Sequence, residues 1–169
     1  MGRAIHGVCG EEHRIHRALG RAAFKPGVAR YYVPTVCASA AHSINDGFAD
    51  RGQAELISDL SRRFSFDIIC RVIGITDVAN DQLHEWVSGL FGYPSDPESA
   101  IATTKKFNEY MTGLLEERRR EPQDELLTGL LNADIEGRRL DDEQILSFIR
   151  LLFPAGDDTT FYATGSMLF

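Results

Sequence analysis

A chain of 169 residues, 43% of them hydrophobic, can bury a core of its own and is too apolar to be disordered. Acidic residues outnumber basic ones by 25 to 18, a formal charge of −7, which argues against a general nucleic-acid binder that must neutralise phosphates. Cys9, Cys37 and Cys70 suggest no disulfide framework and suit a reducing cytoplasm; no secretory signal is visible in Met1 to Gly10, and no run approaches the ~18 apolar residues of a membrane helix.

Taken in chain order, the pattern is all-α, with short polar turns and no convincing alternating strand. A basic helix is predicted from Glu11 to Phe24, stopped by Pro26 and Gly27, and a second from Tyr32 to Arg51. A third runs from Glu55 to Ile73, where Ile57, Leu60, Phe64, Ile68 and Val72 recur at helical spacing and Gly74 serves as C-cap. Asp81 to Phe91 is the fourth, and Gly92 to Pro97 reads as a loop. A longer amphipathic helix then carries Phe107, Met111, Leu114 and Arg118 on one face and ends near Pro122. A short helix from Asp124 to Asn132 precedes a turn at Glu136 and Gly137. The last helix starts with a capping box, Asp141 and Gln144, flanked by Leu140 and Ile145 as a hydrophobic staple. Its apolar pattern runs to Phe169, giving roughly 28 residues and about 42 Å, the proportions of a central helix in something larger.

Two groups of residues carry chemistry. Pro154 and Gly156 sit two apart inside the last helix, followed by Asp157, Asp158, Thr159 and Thr160. Proline removes a backbone donor and glycine removes a side chain, so the segment reads as an opened helix lined by proton donors and acceptors. On the residues alone it reads equally as a proline kink with surface polar groups, or as a boundary between two helices. His13 and Arg17, four apart, share one helix face and could both donate to an anion. They could also belong to a solvated basic face with Arg14, Arg21 and Lys25. His6, Cys9, His13 and His16 fall within eleven residues, but zinc ligands usually pair across a longer loop, so no metal site is expected.

The segment Ala155 to Thr160, AGDDTT, resembles the oxygen-binding segment of the cytochrome P-450 central helix, [AG]-G-x-[DE]-T-[TS]. The resemblance implies that Ala155 and Gly156 are the small pair lying against the haem, leaving room for dioxygen. Asp158 and Thr159 would be the acid and alcohol of the proton relay, with Asp157 at the variable position. Gly10 to Pro26, GEEHRIHRALGRAAFKP, is similar to the family's haem-propionate helix, which makes His13 and Arg17 the propionate ligands and Phe24 a packing residue. Asp59 to Ile75 resembles the helix behind the central one, and Phe107 to Leu131 part of the roof over the substrate. The likeness covers most of the chain in the family's order, so residues 1–169 are expected to form part of a cytochrome P-450 domain.

The family's F-x-x-G-x-x-x-C-x-G ligand motif is absent: Gly2, Arg30 and Arg63 stand seven residues before the three cysteines. The chain is therefore expected to be an internal fragment, inactive alone, with Leu151, Leu152, Phe153 and Phe169 on an uncovered apolar face. The resemblance implies a soluble, cytoplasmic haem monooxygenase. It would insert one atom of dioxygen into a small organic substrate, with electrons from NAD(P)H through a ferredoxin-type partner that Arg14, Arg21 and Lys25 help receive. No nucleic acid or membrane is expected as a partner. The alternatives are a non-catalytic helical binding or scaffold protein, and a magnesium enzyme using Asp157 and Asp158. The latter wants a D-D-x-x-D run that Thr159, Thr160 and Phe161 interrupt.

Overall fold

The computed structural model of the chain describes residues 5–24, 30, 32–49, 51–75, 80–91 and 96–168. Regular structure among them is helical, apart from one antiparallel bridge between Ile135 and Arg138. Seven α-helices follow in order: α1 Gly10–Ala23, α2 Ala38–Ala49, α3 Arg63–Ile73, α4 Asn80–Phe91, α5 Pro97–Arg120, α6 Leu126–Asn132 and α7 Asp142–Met167. Two units are distinct, Met1–Lys25 with Asp77–Leu152, and Pro26–Thr76 with Phe153–Phe169. None of the described helices is long and apolar enough to cross a membrane.

In the first unit, Ile15, Leu19 and Ala23 recur every fourth residue along α1 and are buried. α1 packs on α6 so closely that a Cβ on Gly129 would lie 2.8 Å from the Ala23 carbonyl oxygen and 3.1 Å from its Cα. Backbone cannot swing aside as a side chain can. Gly129→Ala should therefore wedge α1 from α6 and lose about 1–3 kcal/mol of stability. Gly113 of α5 is exposed with nothing within 4 Å of an added Cβ, so Gly113→Ala should gain about 1 kcal/mol in helix propensity. Urea unfolding midpoints should move in opposite directions for the two variants.

α5 buries the face read from sequence, Phe107, Met111, Leu114 and Arg118, and packs on α4 and α6. Its start differs from expectation. Pro97 is the first helical residue rather than part of a loop, because a proline there sacrifices only an N–H that would lack a partner, and the Asp96 carboxylate accepts from the Ser99 N–H. Residues 92–95 of that loop, and Pro26 and Gly27 after α1, lie outside the described residues. The Glu136–Gly137 turn has positive φ at both residues, 57° and 74°, and closes with reciprocal Ile135–Arg138 backbone bonds. α7 opens on the expected capping box: the Gln144 N–H donates to Asp141 Oδ1 at 2.8 Å, and the Asp141 N–H donates to Gln144 Oε1 at 2.9 Å.

The second unit departs further from a simple periodic reading. The helix expected over Tyr32 to Arg51 begins with a π-helical turn, Val33–Cys37, before α2. The one expected over Glu55 to Ile73 begins with another, Leu56–Arg62, before α3. The Glu55 carboxylate caps it by accepting from the N–H groups of Ile57 and Ser58, and Gly74, at φ 102°, ends it as predicted. The wider turn shifts the phase of every later position. The stripe of Ile57, Leu60, Phe64, Ile68 and Val72 is consequently only half-buried, and the covered face is Ser61, Ser65, Phe66, Ile69, Cys70 and Ile73.

That face meets the second half of α7. Ser65 Oγ donates to Asp157 Oδ1 at 2.6 Å, and Ser61 Oγ donates to the Phe161 carbonyl at 2.8 Å. A Cβ on Gly165 would lie 3.3 Å from Ile57 Cδ1. The pairs 57–165, 61–161 and 65–157 run in opposite directions in steps of four, so the segments are antiparallel along one ridge. Phe153, expected on an uncovered face, is instead fully buried, its ring 5.9 Å from that of Phe66. The phase shift brings Phe66 round to α7, and the two rings bury each other. Leu151 and Leu152 are half-buried, and Phe169 lies outside the described residues.

Candidate functional site

The candidate residues fall in both units. On α1, the buried stripe of Ile15, Leu19 and Ala23 sets the helix orientation and leaves His13 half-buried and Arg17 exposed. Neither side chain has a hydrogen-bond or ion-pair partner among the described residues. Arg14 differs sharply. Its guanidinium donates to both oxygens of Glu11, at 2.6 and 2.8 Å, and of Glu136, at 3.0 and 3.1 Å. That bond from Arg14 holds the Glu11 carboxyl below the usual carboxylate range. Arg14 is thus committed within its own unit. Of its expected companions in docking a partner, Arg21 is exposed and Lys25 lies outside the described residues.

In the second unit α7 continues helical through Pro154. The Thr159 hydroxyl donates to the Ala155 carbonyl one turn back, at 2.6 Å. Ala155, Asp158 and Thr159 are exposed, whereas Asp157 is buried on Ser65. The two small residues divide in role: Ala155 faces out, while Gly156 meets α3, where an added Cβ would come within 2.7 Å of Ile69 Cδ1. Periodicity alone did not reveal Asp157, Ser61 and Ser65. All three are polar residues in a buried seam, and hydrophobic patterning assigns such residues to the surface. Their signal was the i, i+4 spacing of two serines on a helix facing a glycine-bearing one.

A haem would need an anchor for its carboxylates and a ligand for its iron. An imidazole and a guanidinium one turn apart, with no side-chain partner among the described residues, have the donor chemistry for a carboxylate. The cysteines do not match the second requirement. Cys9 is exposed and Cys37 half-buried, and burial among apolar neighbours pushes the Cys70 thiol well up, away from the thiolate that iron requires. The residues therefore fit the carboxylate edge of a haem and not its iron.

No family model matches the chain. The chain is 31% identical over 121 residues to cytochrome P450 107B1 of Saccharopolyspora erythraea, covering 72% of this chain and 30% of that protein. To the methyl-branched lipid omega-hydroxylase of Mycobacterium bovis it is 30% identical over 156 residues, covering 88% of this chain and 36% of the relative. The solved structure of cytochrome P450 CYP109Q5 from Chondromyces apiculatus superposes with a TM-score of 0.81 at 27% identity, over 95% of this chain and 40% of that one. The chain thus spans about a third of the length of the curated relatives it matches. With the helix order, the AGDDTT segment inside the longest helix and these likenesses all pointing one way, the chain belongs to the cytochrome P-450 family.

Proposed function

We propose that residues 1–169 are part of the domain of a haem-dependent monooxygenase, and that this stretch anchors haem carboxylates and delivers protons. The observation that carries the reading is the exposed Ala155–Thr159 face of α7, with Asp158 beside it, in a chain whose relatives are P-450s. Bound haem would supply the activation of dioxygen, one atom going into an organic substrate and the other to water. His13 and Arg17 would each donate to a propionate. Ala155 would keep the helix thin where haem and dioxygen lie, while Gly156 would let α7 approach α3 on the other side. The Thr159 hydroxyl would exchange its bond to Ala155 for one to the oxygen being reduced. Asp158, about 100° round the helix, would pass protons in from solvent. Electrons would come from NAD(P)H through a ferredoxin-type partner, received by Arg21 and Lys25 rather than by Arg14. With no cysteine in the ligand motif, the chain alone would not turn over substrate.

The test is made in a complete P-450 chain carrying this sequence. Thr159→Ala should leave haem and substrate binding intact, lower product formation about 10- to 100-fold and divert reducing equivalents to peroxide, since positioned acid–base groups contribute on that scale. Asp158→Asn should slow turnover with an altered solvent isotope effect. Wild-type turnover and coupling in both variants would refute the assignment.

A further inference from the structure

The second unit contains a buried acid with no place in that proton pathway. Asp157 is 9% exposed and accepts the Ser65 hydroxyl at 2.6 Å. A helix advances about 100° per residue, so Ala155 and Thr159 lie within about 40° of each other and both about 160° from Asp157. Burial follows that arithmetic. Phe153, Asp157 and Gly165 are covered, whereas Ala155, Thr159, Tyr162 and Ser166 are exposed along the opposite side.

We propose that Asp157 is a positioning residue: its bond from Ser65 sets the rotation of α7 about its own axis and so aims the Ala155–Thr159 face away from α3. The inference rests on the proposed function for the meaning of that face, and on the seam for its geometry. The seam is built largely of small groups, Ser61, Ser65, Gly156 and Gly165. Small groups permit close approach but offer few interlocking side chains to resist rotation or slippage. The Phe66–Phe153 contact holds one end. Beside Thr159 the two serine hydroxyls make directional bonds across the seam, the one from Ser65 ending on an α7 side chain, and the Arg62 guanidinium stacks 4.5 Å from the centroid of the Phe161 ring. A hydroxyl–carboxylate bond has a narrow angular optimum, and a buried carboxylate that leaves its partner is left desolvated and unpaired, so rotation carries a penalty that an apolar side chain would not impose. Two residues along the chain, that constraint becomes the placement of Thr159.

Tyr162 reports on the face directly, since it is 69% exposed on the Thr159 side of α7. With 3-fluorotyrosine incorporated and the Tyr162 signal assigned by its loss in Tyr162→Phe, the 19F resonance of this chain should be the same in wild type and Asp157→Asn. The asparagine still offers an oxygen to Ser65. In Asp157→Leu the resonance should shift or broaden as α7 samples other rotations, and Ser65→Ala should do the same should the leucine variant fail to fold. An unmoved resonance in both would overturn the proposal. In a complete P-450 chain, Asp157→Leu should lower coupled product formation about 10- to 100-fold, the scale on which ~1 Å misplacement acts, with Asp157→Asn restoring it. Uncoupling by Thr159→Ala without uncoupling by Asp157→Leu would also overturn it. A resonance that moves while Thr159→Ala has no effect would support the positioning and refute the monooxygenase reading of the face.

Discussion

Phe107→Ala should destabilise the chain by about 3–5 kcal/mol, the range for emptying a buried aromatic site. Phe107 is fully buried on α5, in one stripe with Met111, Leu114 and Leu115, and α5 packs against α4, whose Leu83 and Val87 are also buried. Truncation to alanine removes the ring's transfer free energy and leaves a cavity that helices joined at both ends can close only in part. A domain's whole stability is about 5–15 kcal/mol, so this one change takes a large share of it. Ile101→Ala, on the same helix but 56% exposed, should stay within about 0.5 kcal/mol. Urea unfolding with an unchanged slope and a midpoint lowered only for Phe107→Ala would show the expected difference. Equal shifts would mean that α5 is not packed as described.

The contrast between Phe107 and Ser65 shows what was legible in the sequence. The α5 face could be read because every residue on it is apolar or long-stemmed and the helix is regular, so spacing translates directly into burial. The Asp141–Gln144 box could be read because its donors and acceptors lie within one turn and need no tertiary partner. The Ser61 and Ser65 seam could not. Its contacts join positions about a hundred residues apart, its members are polar, and the π-helical turn at Leu56–Arg62 rotates the buried face away from the stripe that an α-helical period selects. Phe153 is expected on an uncovered face because the chain reads as an internal fragment, but Phe66, on the face of α3 that the apolar stripe does not select, covers it. For the candidate site, spacing put His13 with Arg17 on a shared face, because that depends on backbone geometry alone, whereas Ala155 was paired with Gly156 and only the structure shows it on the exposed face with Thr159. What each face holds depends on groups that pattern does not encode, and those roles rest on resemblance. The clamp of Glu11 and Glu136 on Arg14 is similar: half of it is an i, i+3 pair, and the other half crosses to a turn 122 residues away.

The second large effect concerns a buried ion pair that spacing did not reveal. Arg118 of α5 is 3% exposed, 2.5 Å from Glu117 Oε1 and 3.4 Å from Glu125 Oε1. Glu125 caps α6: the same oxygen accepts from the Thr128 N–H at 2.9 Å and the Thr128 hydroxyl at 2.7 Å. Burial nevertheless pushes the Glu125 carboxyl above the ordinary carboxylate range, with the Thr128 bonds and the Arg118 charge opposing. Desolvation thus outweighs the favourable contacts, and folding makes this acid easier to protonate than it is in the unfolded chain. The folded state then binds more protons than the unfolded one between the ordinary carboxylate range and the raised value. This group's contribution to stability is therefore largest at low pH and is lost as pH rises through that window. Arg118→Met keeps much of the apolar stem and removes the opposing charge, so it should extend the window upward and cost about 3–5 kcal/mol at neutral pH, the usual penalty for stranding a buried charge. The cost should shrink as pH falls towards the unfolded carboxylate range, where Glu125 is neutral in both states. Arg118→Met with Glu125→Gln should recover most of the loss, because the amide keeps an acceptor for Thr128 and strands no charge. Urea unfolding of the three chains across pH gives the comparison. A pH-independent loss in Arg118→Met that Glu125→Gln leaves unrelieved would assign Arg118 to packing alone.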